Sequence, residues 1–271
     1  MSTIPGFPER LGRLDRFSAS EQKLLYIATG SPKYLFGALY SALSAKAAGN
    51  RIPTAIITDS PLQFPFADFD IEVMKPPRIR AEGLKACLNS FTAAEFNLFL
   101  DSDTVVLGNL EQLFQSLKAA PLAASYVGRL ADVRRVFDRK GRYGRENRVE
   151  VGYTIEKYGP ETIWLSGGHI AFRKSLTEEF FRTFRREWNR FQCTDEGALC
   201  RAIAETGIDV APLVQGTVGI AKRIVDGVTV AHRVRGMRGR SHDDMCMTAW
   251  HKHYYPRIYE ELVKVFTRSL V

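Results

Sequence analysis

The stretch that most restricts how this chain can fold runs from Phe96 to Leu110. Phe96-Asn97-Leu98-Phe99-Leu100 is apolar enough to be a buried strand, and it delivers two carboxylates, Asp101 and Asp103, to its end. A near-continuous apolar strand belongs inside a sheet covered on both faces. A turn and a helix start follow at once, in Thr104-Val105-Val106-Leu107-Gly108-Asn109-Leu110. In extended chain, residues two apart project to the same side, so Asp101 and Asp103 are placed to grip one object. Two like charges so close raise each other's proton affinity unless a cation neutralises them, and a hard divalent ion with oxygen ligands is the natural third party. An ion held by few carboxylates keeps positions open for phosphate oxygens. The stretch therefore reads as a seat for a metal and a diphosphate.

The chain around it repeats one grammar. Residues 1–22, rich in Pro, Gly, Arg and Ser, read as an N-terminal arm. Leu24 to Ala28 is a strand ending in Thr29-Gly30-Ser31-Pro32, after which Leu35, Leu39 and Leu43 recur at helical spacing up to a stop at Gly49. Thr54 to Thr58 is a second buried strand, ending at Asp59. Ile71 to Met74 is a third, and Gly83 to Phe91 reads as a helix leading into the central strand. Strands alternating with helices imply an α/β fold with a mostly parallel central sheet flanked by helices. Asn109 with Gln112 forms a capping-box pattern ahead of Leu110, Leu113, Phe114 and Leu117.

After Pro121 the pattern loosens. Leu122 to Val127 reads as a strand, and residues 129–148 as a strongly basic loop that either meets an anion or is simply solvated. Trp164 to Arg173 is strand-like around Gly167-Gly168. Ser175 with Glu178 opens a helix whose Phe180, Phe181, Phe184, Trp188 and Phe191 form an apolar face, and Thr194 caps another that stops at Gly207. Val228 to Ala231 is a late strand leading to His232, and residues 255–271 form an amphipathic helix that packs on the body or touches a membrane surface.

Composition narrows the partners. Lys and Arg outnumber Asp and Glu by 38 to 30, a formal charge of +8 that suits nucleotides, phosphates, nucleic acid or acidic headgroups as well as a merely solvated surface. Cys87, Cys193, Cys200 and Cys246 contain no C-x-x-C pair, which argues against zinc and for reduced thiols. No apolar run suggests a signal peptide or a bilayer span, so the expected location is cytoplasmic, with peripheral contact at the inner face of a membrane as a second reading.

The strand, Asp101-Ser102-Asp103-Thr104, two apolar residues, Gly108, a polar residue and Leu110 together resemble the D-x-D segment of GT-A glycosyltransferases, especially the glycogenin and bacterial galactosyltransferase group. The resemblance continues in order through Ala28-Thr29-Gly30, Lys85, Ser166-Gly167-Gly168-His169, Asp195-Glu196 and His232, spanning about residues 23–240. It implies a GT-A-like domain over 23–254, with a Rossmann-like nucleotide half (23–107) fused to an acceptor half (108–254). It also implies Mn2+ or Mg2+ as cofactor, a nucleotide-sugar donor, UDP-sugar favoured, and a glycan or other hydroxyl acceptor, with no nucleic acid.

Carried over residue by residue, the resemblance makes Asp103 a metal ligand, puts Asp101 on the metal or the ribose with Ser102 beside it, and makes His232 the third ligand or else a buried, hydrogen-bonded histidine. Ala28, Thr29 and Gly30 would cradle base and ribose, with Asp59 adding a contact. Lys85 would meet a phosphate or the sugar; a surface lysine is the alternative. Gly167 and Gly168 would let backbone approach the donor sugar, or form a tight bend between strands. Asp195 and Glu196 would reach the reaction centre, or would only cap a helix; Glu196 stands where the group has Gln and so offers a base. The group's usual ending after the late His is replaced by Arg233-Val234-Arg235-Gly236-Met237-Arg238-Gly239, whose Arg235 and Arg238 either clamp the diphosphate or are solvated. Two rivals use the same residues. A haloacid-dehalogenase-type phosphatase would employ Asp101 as nucleophile with His242-Asp243-Asp244 as a late acidic pair, and a nucleic-acid-binding module would employ the basic segment.

Overall fold

The computed structural model describes residues 21–61, 66, 70–134, 145–213, 218–220, 228–232 and 251–269. Residues 135–144 of the basic segment, Arg235, Arg238, the His242-Asp243-Asp244 run, Cys246 and most of the N-terminal arm lie outside the described residues. The described ends of that segment, 129–148, are not loop: Arg129 closes a strand and residues 145–148 open a helix, both held by backbone hydrogen bonds.

The first half alternates as the pattern predicts: β1 (Gln22–Ala28), α1 (Pro32–Ala47), β2 (Thr54–Thr58), β3 (Ile71–Met74), α2 (Ala81–Lys85) and β4 (Phe96–Leu100). There follow β5 (Thr104–Val106), α3 (Glu111–Gln115), β6 (Leu122–Arg129), α4 (Arg145–Tyr158), β7 (Ile163–Arg173), α5 (Glu178–Phe191), α6 (Asp195–Thr206), β8 (Val210–Pro212), β9 (Val218–Ile220), β10 (Val230–His232) and α7 (Pro256–Ser269). The main sheet has seven strands in the order β3-β2-β1-β4-β7-β6-β8, and a second holds β5-β10-β9. β3, β2, β1 and β4 run parallel, as do β6 and β8, while β7 is antiparallel to both its neighbours. Strands from before and after residue 107 share this one sheet.

Side chains that alternate along β1 and β4 divide between two cores. Leu24, Tyr26, Leu98 and Leu100 enter one with Leu35 and Leu39 of α1, Leu113 and Phe114 of α3 and Leu262 of α7. Leu25, Ile27 and Phe99 enter the other with Phe180, Phe181, Phe184 and Trp188 of α5 and Ala198 and Leu199 of α6. Period-two alternation with both faces apolar is what a strand covered by helices on each side requires. The C-terminal helix packs on the body: Phe266 and Tyr259 meet Phe36 of α1 edge-on, at centroid distances of 5.1 and 5.9 Å. Among the described residues no helix is long and apolar enough to cross a membrane.

Local signals hold in some places and yield in others. Thr194 caps α6 by accepting from Gly197 N–H, and Gly207 ends it at φ 63°. The expected Asn109–Gln112 capping box does not form: Leu110 takes the cap position, and Asn109 Oδ1 accepts instead from Glu111 N–H at 2.9 Å. Ser175 does not cap α5: its hydroxyl and N–H go to Glu95, the helix begins at Glu178, and Thr177 bonds back to Arg173 O. A carboxylate fixed 80 positions away has outbid the local box. The expected helix from Gly83 to Phe91 divides into α2 and a 3-10 turn at Leu88–Phe91. Gly167 and Gly168 do not join two strands by a bend; they lie inside β7, at a bulge where pairing with β6 jumps from Ile170–Ala124 to Ser166–Ser125.

Candidate active site

β4 ends at Leu100, and the turn that follows is pinned at Asp101 and Thr104. Asp101 N–H donates to Gly168 O of β7 at 2.9 Å. Thr104 donates to Asp101 O at 2.7 Å and lies 2.7 Å from Ser41 Oγ, which is itself 3.0 Å from the Tyr26 hydroxyl, so a buried chain of hydroxyls holds the turn. β10 pairs antiparallel with β5, which sets His232 opposite Thr104. His232 Nε2 then stands 3.0 Å from Asp103 Oδ1 and 3.8 Å from Asp101 Oδ2. One ligand atom from each of Asp101, Asp103 and His232 lies within 4.8 Å of the others.

These residues line a cleft of about 390 Å³, reached also by Ile27, Thr29, Tyr34, Lys85, Ser102, Ser166, Gly168, Asp195 and Glu196. Lys85 is no surface lysine. Its Nζ bridges Asp101 Oδ1 at 2.9 Å and Asp195 Oδ2 at 2.6 Å, with the side chain 12% exposed. Burial works against its charge, and Asp101 and Asp195 more than reverse that, so the amine holds its proton more tightly than usual.

Even with Lys85, negative charge is in surplus: Asp101, Asp103, Asp195 and Glu196, with Glu82 at the same cleft, face one lysine and one histidine. Burial pushes the Asp101 carboxyl up against the pull of Lys85, and Asp103 pushes the same way. Glu196 rises to about 8 through burial and the charge of Asp195, against Lys85. Burial would lower His232, but its bond to Asp103 and the two nearby carboxylates raise it. Burial is the first cause of the raised proton affinity of Asp101 and Glu196, and neighbouring carboxylates add to it. Two carboxylates and an imidazole suit a divalent ion, and the site is closely packed: a Cβ on Gly168 would lie 2.6 Å from His232 Cε1 and 2.8 Å from Asp101 Oδ2. Gly167 is packed in the same manner against the Asp195 carboxylate. The donor set fits a cation.

Of the other sequence-predicted residues, Thr29 lines the cleft, whereas Ala28, Gly30 and Asp59 are not among the residues that line it. Asp59 accepts from Gly30 N–H at 3.0 Å, and Thr58 Oγ1 donates to Ala28 O at 2.7 Å, so these three shape the loop after β1. Sequence reasoning missed Tyr34 and assigned no role to His169. Tyr34 sits in the first turn of α1, where a helix start facing a strand end was the available signal. His169 is fully buried, meets the His232 ring edge-on at 4.5 Å and contacts Ser125 Oγ through Nδ1 at 3.1 Å; burial first, then His232 and Lys85, hold it well below the usual imidazole range.

No protein-family model and no curated protein sequence matches this chain. Solved structures do. The galactosyltransferase LgtC, in complex with donor and acceptor sugar analogues, is 14% identical over 89% of this chain and 99% of its own, with a TM-score of 0.58. Mouse xyloside xylosyltransferase 1 is 9% identical over 79% of this chain and 98% of its own, with a TM-score of 0.53. The bifunctional glycosyltransferase WbbM matches 96% of this chain at 10% identity and a TM-score of 0.60; there this chain spans 54% of the longer protein. Likeness at these identities establishes architecture, and the chain has the GT-A glycosyltransferase fold. Neither the phosphatase nor the nucleic-acid reading finds a counterpart among these three, and among the described residues three strands precede β4, where the phosphatase pattern has its acid pair on the first.

Proposed function

We propose that this protein is a divalent-metal-dependent glycosyltransferase that moves a sugar from a nucleoside-diphosphate sugar, a UDP-sugar in the favoured case, to a hydroxyl of a glycan or glycoconjugate, in the cytoplasm. The observation that carries the reading is the convergence of Asp101, Asp103 and His232 at the carboxyl end of β4, in a cleft with surplus acid and the fold of glycosyltransferases. Ligands in open α/β sheets lie at that end of the strands.

Asp101, Asp103 and His232 would hold the ion, and the imidazole favours Mn2+ over Mg2+, which prefers all-oxygen shells. Bound there, it supplies electrostatic stabilisation of the departing diphosphate, which is where charge builds in glycosyl transfer. The chain supplies the rest. Thr29 and the Gly30 loop, tied by Asp59, receive base and ribose, so residues 23–107 are the nucleotide half and 108–254 the acceptor half. The bulge at Gly167 and Gly168 brings backbone, without side chains, up to the sugar. Asp195 is oriented toward the sugar hydroxyls by Lys85. Glu196, whose carboxyl is raised by burial and by the charge of Asp195, offers a hydrogen-bond donor to the sugar. Arg235 and Arg238 clamp the diphosphate. Retention of anomeric configuration follows the resembled group, and NMR of the product against the donor anomer decides it.

The test is thermal stability with UDP, GDP and CDP and their sugars, with and without Mn2+. Ligand at about 100 Kd adds roughly 2.7 kcal/mol of stability, or about 5–10 °C for a chain of this size. Asp103→Ala is expected to lose the Mn2+-dependent shift, and at least about 10³ in turnover, while melting as wild type without ligand. Wild-type turnover in that variant would refute the assignment.

A further inference from the structure

Behind the cleft lies a second cluster of charge that glycosyl transfer as described does not use. Arg201, in α6, has no exposed surface. Its Nε donates to Glu187 Oε2 at 3.0 Å, its Nη1 to Thr154 Oγ1 at 3.1 Å, and its Nη2 to Glu150 Oε1 at 2.8 Å and Glu187 O at 3.0 Å. The second oxygen of Glu150 accepts from both the N–H and the hydroxyl of Thr194, at 3.0 and 2.7 Å. Thr194 Oγ1 in turn accepts from Gly197 N–H at 3.0 Å.

An N-cap needs only that last bond. The carboxylate beneath it is the additional feature, and burying an ion pair is a poor way to stabilise a fold. What it does provide is geometry. Thr194 has its backbone and its side chain tied to one oxygen, and the residues after it are Asp195 and Glu196. There is no slack: a Cβ on Gly197 would lie 2.7 Å from both Glu150 Oε1 and Thr194 Oγ1. Onward, Asp195 Oδ2 holds Lys85 Nζ at 2.6 Å, and Lys85 holds Asp101 at 2.9 Å. A path of hydrogen bonds and ion pairs, joined by the Thr194–Asp195 peptide link, therefore leads from α4 through the first turn of α6 to the end of β4.

We propose that Glu150, acting through Thr194, is a positioning residue that sets Asp195 and Glu196 against the donor sugar. The proposal rests on the glycosyl-transfer reading above. A displaced carboxylate near the reacting bond weakens the transition state more than the ground state, so the defect belongs in kcat.

The experiment compares Glu150→Gln, Thr194→Val and Thr194→Ser with wild type, using UDP-glucose, UDP-galactose and UDP-xylose with Mn2+ and measuring UDP release. Glu150→Gln and Thr194→Val are expected to lose about 10- to 100-fold in kcat with donor KM within about threefold of wild type. Thr194→Ser, which keeps the hydroxyl, is expected to stay within about twofold. Circular dichroism and a cooperative melt establish which variants are folded; if Glu150→Gln is not, Thr194→Val decides. A folded variant with lowered Tm but wild-type kcat, or a Thr194→Ser as impaired as Thr194→Val, overturns the positioning role and leaves the transferase reading standing. Absence of UDP release and of Mn2+-dependent UDP binding in the wild type overturns both.

Discussion

Helix α6 carries two clusters of acids and bases that use similar residue types to opposite ends. At its first turn Asp195 and Glu196 join Asp101, Asp103, Lys85 and His232 in an open cleft, with the Asp101 and Asp103 side chains 27% and 18% exposed. Further along, Arg201 sits between Glu150 and Glu187, all three sealed from solvent. In the sealed cluster every nitrogen of the guanidinium has a partner, and Arg186 and Arg190 lie within 3.8 and 3.4 Å of Glu187 at its edge. In the open one, acids exceed bases, and burial first, then neighbouring carboxylates, raises the proton affinity of Asp101 and Glu196. A closed cluster tied by hydrogen bonds makes a brace; an accessible surplus of acid marks a candidate site.

The largest blow to this contrast is expected at Arg201. Arg201→Met leaves two carboxylates facing each other in the dry interior, and breaking a buried pair costs about 3–5 kcal/mol, roughly 10 °C in Tm for a chain of this length. A melt within about 2 °C of wild type would show that the sealed cluster is not a brace. A smaller effect, confined to the open cluster, is expected from Gly168→Ala. The added methyl meets His232 Cε1 and Asp101 Oδ2 and should weaken Mn2+ binding about 10- to 100-fold by calorimetry, the scale of disturbed metal-site support, with the metal-free Tm little changed. Unaltered affinity would mean the ion does not lie between those residues.

His251 gives the smallest effect and sharpens the rule, being sealed yet unbalanced. Its Nε2 has no partner among the described residues, its ring lies 3.9 Å from that of Tyr40, and burial lowers it from 6.5 to about 3. Between those values the unfolded chain takes up the proton and the folded chain does not, so stability falls as pH drops below about 6.5 and levels off near 3. At pH 5 the loss from this group is about 1–2 kcal/mol relative to pH 7.5. Urea denaturation across that range should show a shallower slope in His251→Phe; an identical slope would assign the acid sensitivity elsewhere.

Much of this could be read from the chain alone. The apolar run into Asp101-Ser102-Asp103, the strands at Leu24–Ala28 and Thr54–Thr58, the α5 aromatic stripe and the Thr194 and Gly207 signals are local patterns, and local patterns survive where nothing distant competes. Ser175 lost its capping role because Glu95 offered a better partner. Phe191, placed with the stripe, instead lies under the Arg201 guanidinium at 4.7 Å. Glu150 and Arg201 are 51 positions apart, with no periodicity to link them.

The sequence by itself determined the alternation of strands and helices, the burial of β1 and β4 on both faces, and the delivery of paired carboxylates to a strand end, because backbone periodicity and side-chain polarity act over a few residues. Only the tertiary structure decided that His232 would stand beside Asp103, that Lys85 would bridge Asp101 and Asp195, and that one carboxylate of α4 would hold the cap of α6. Those depend on strand order and helix packing, which bring distant residues within a few ångströms, where hydrogen bonds and charge act.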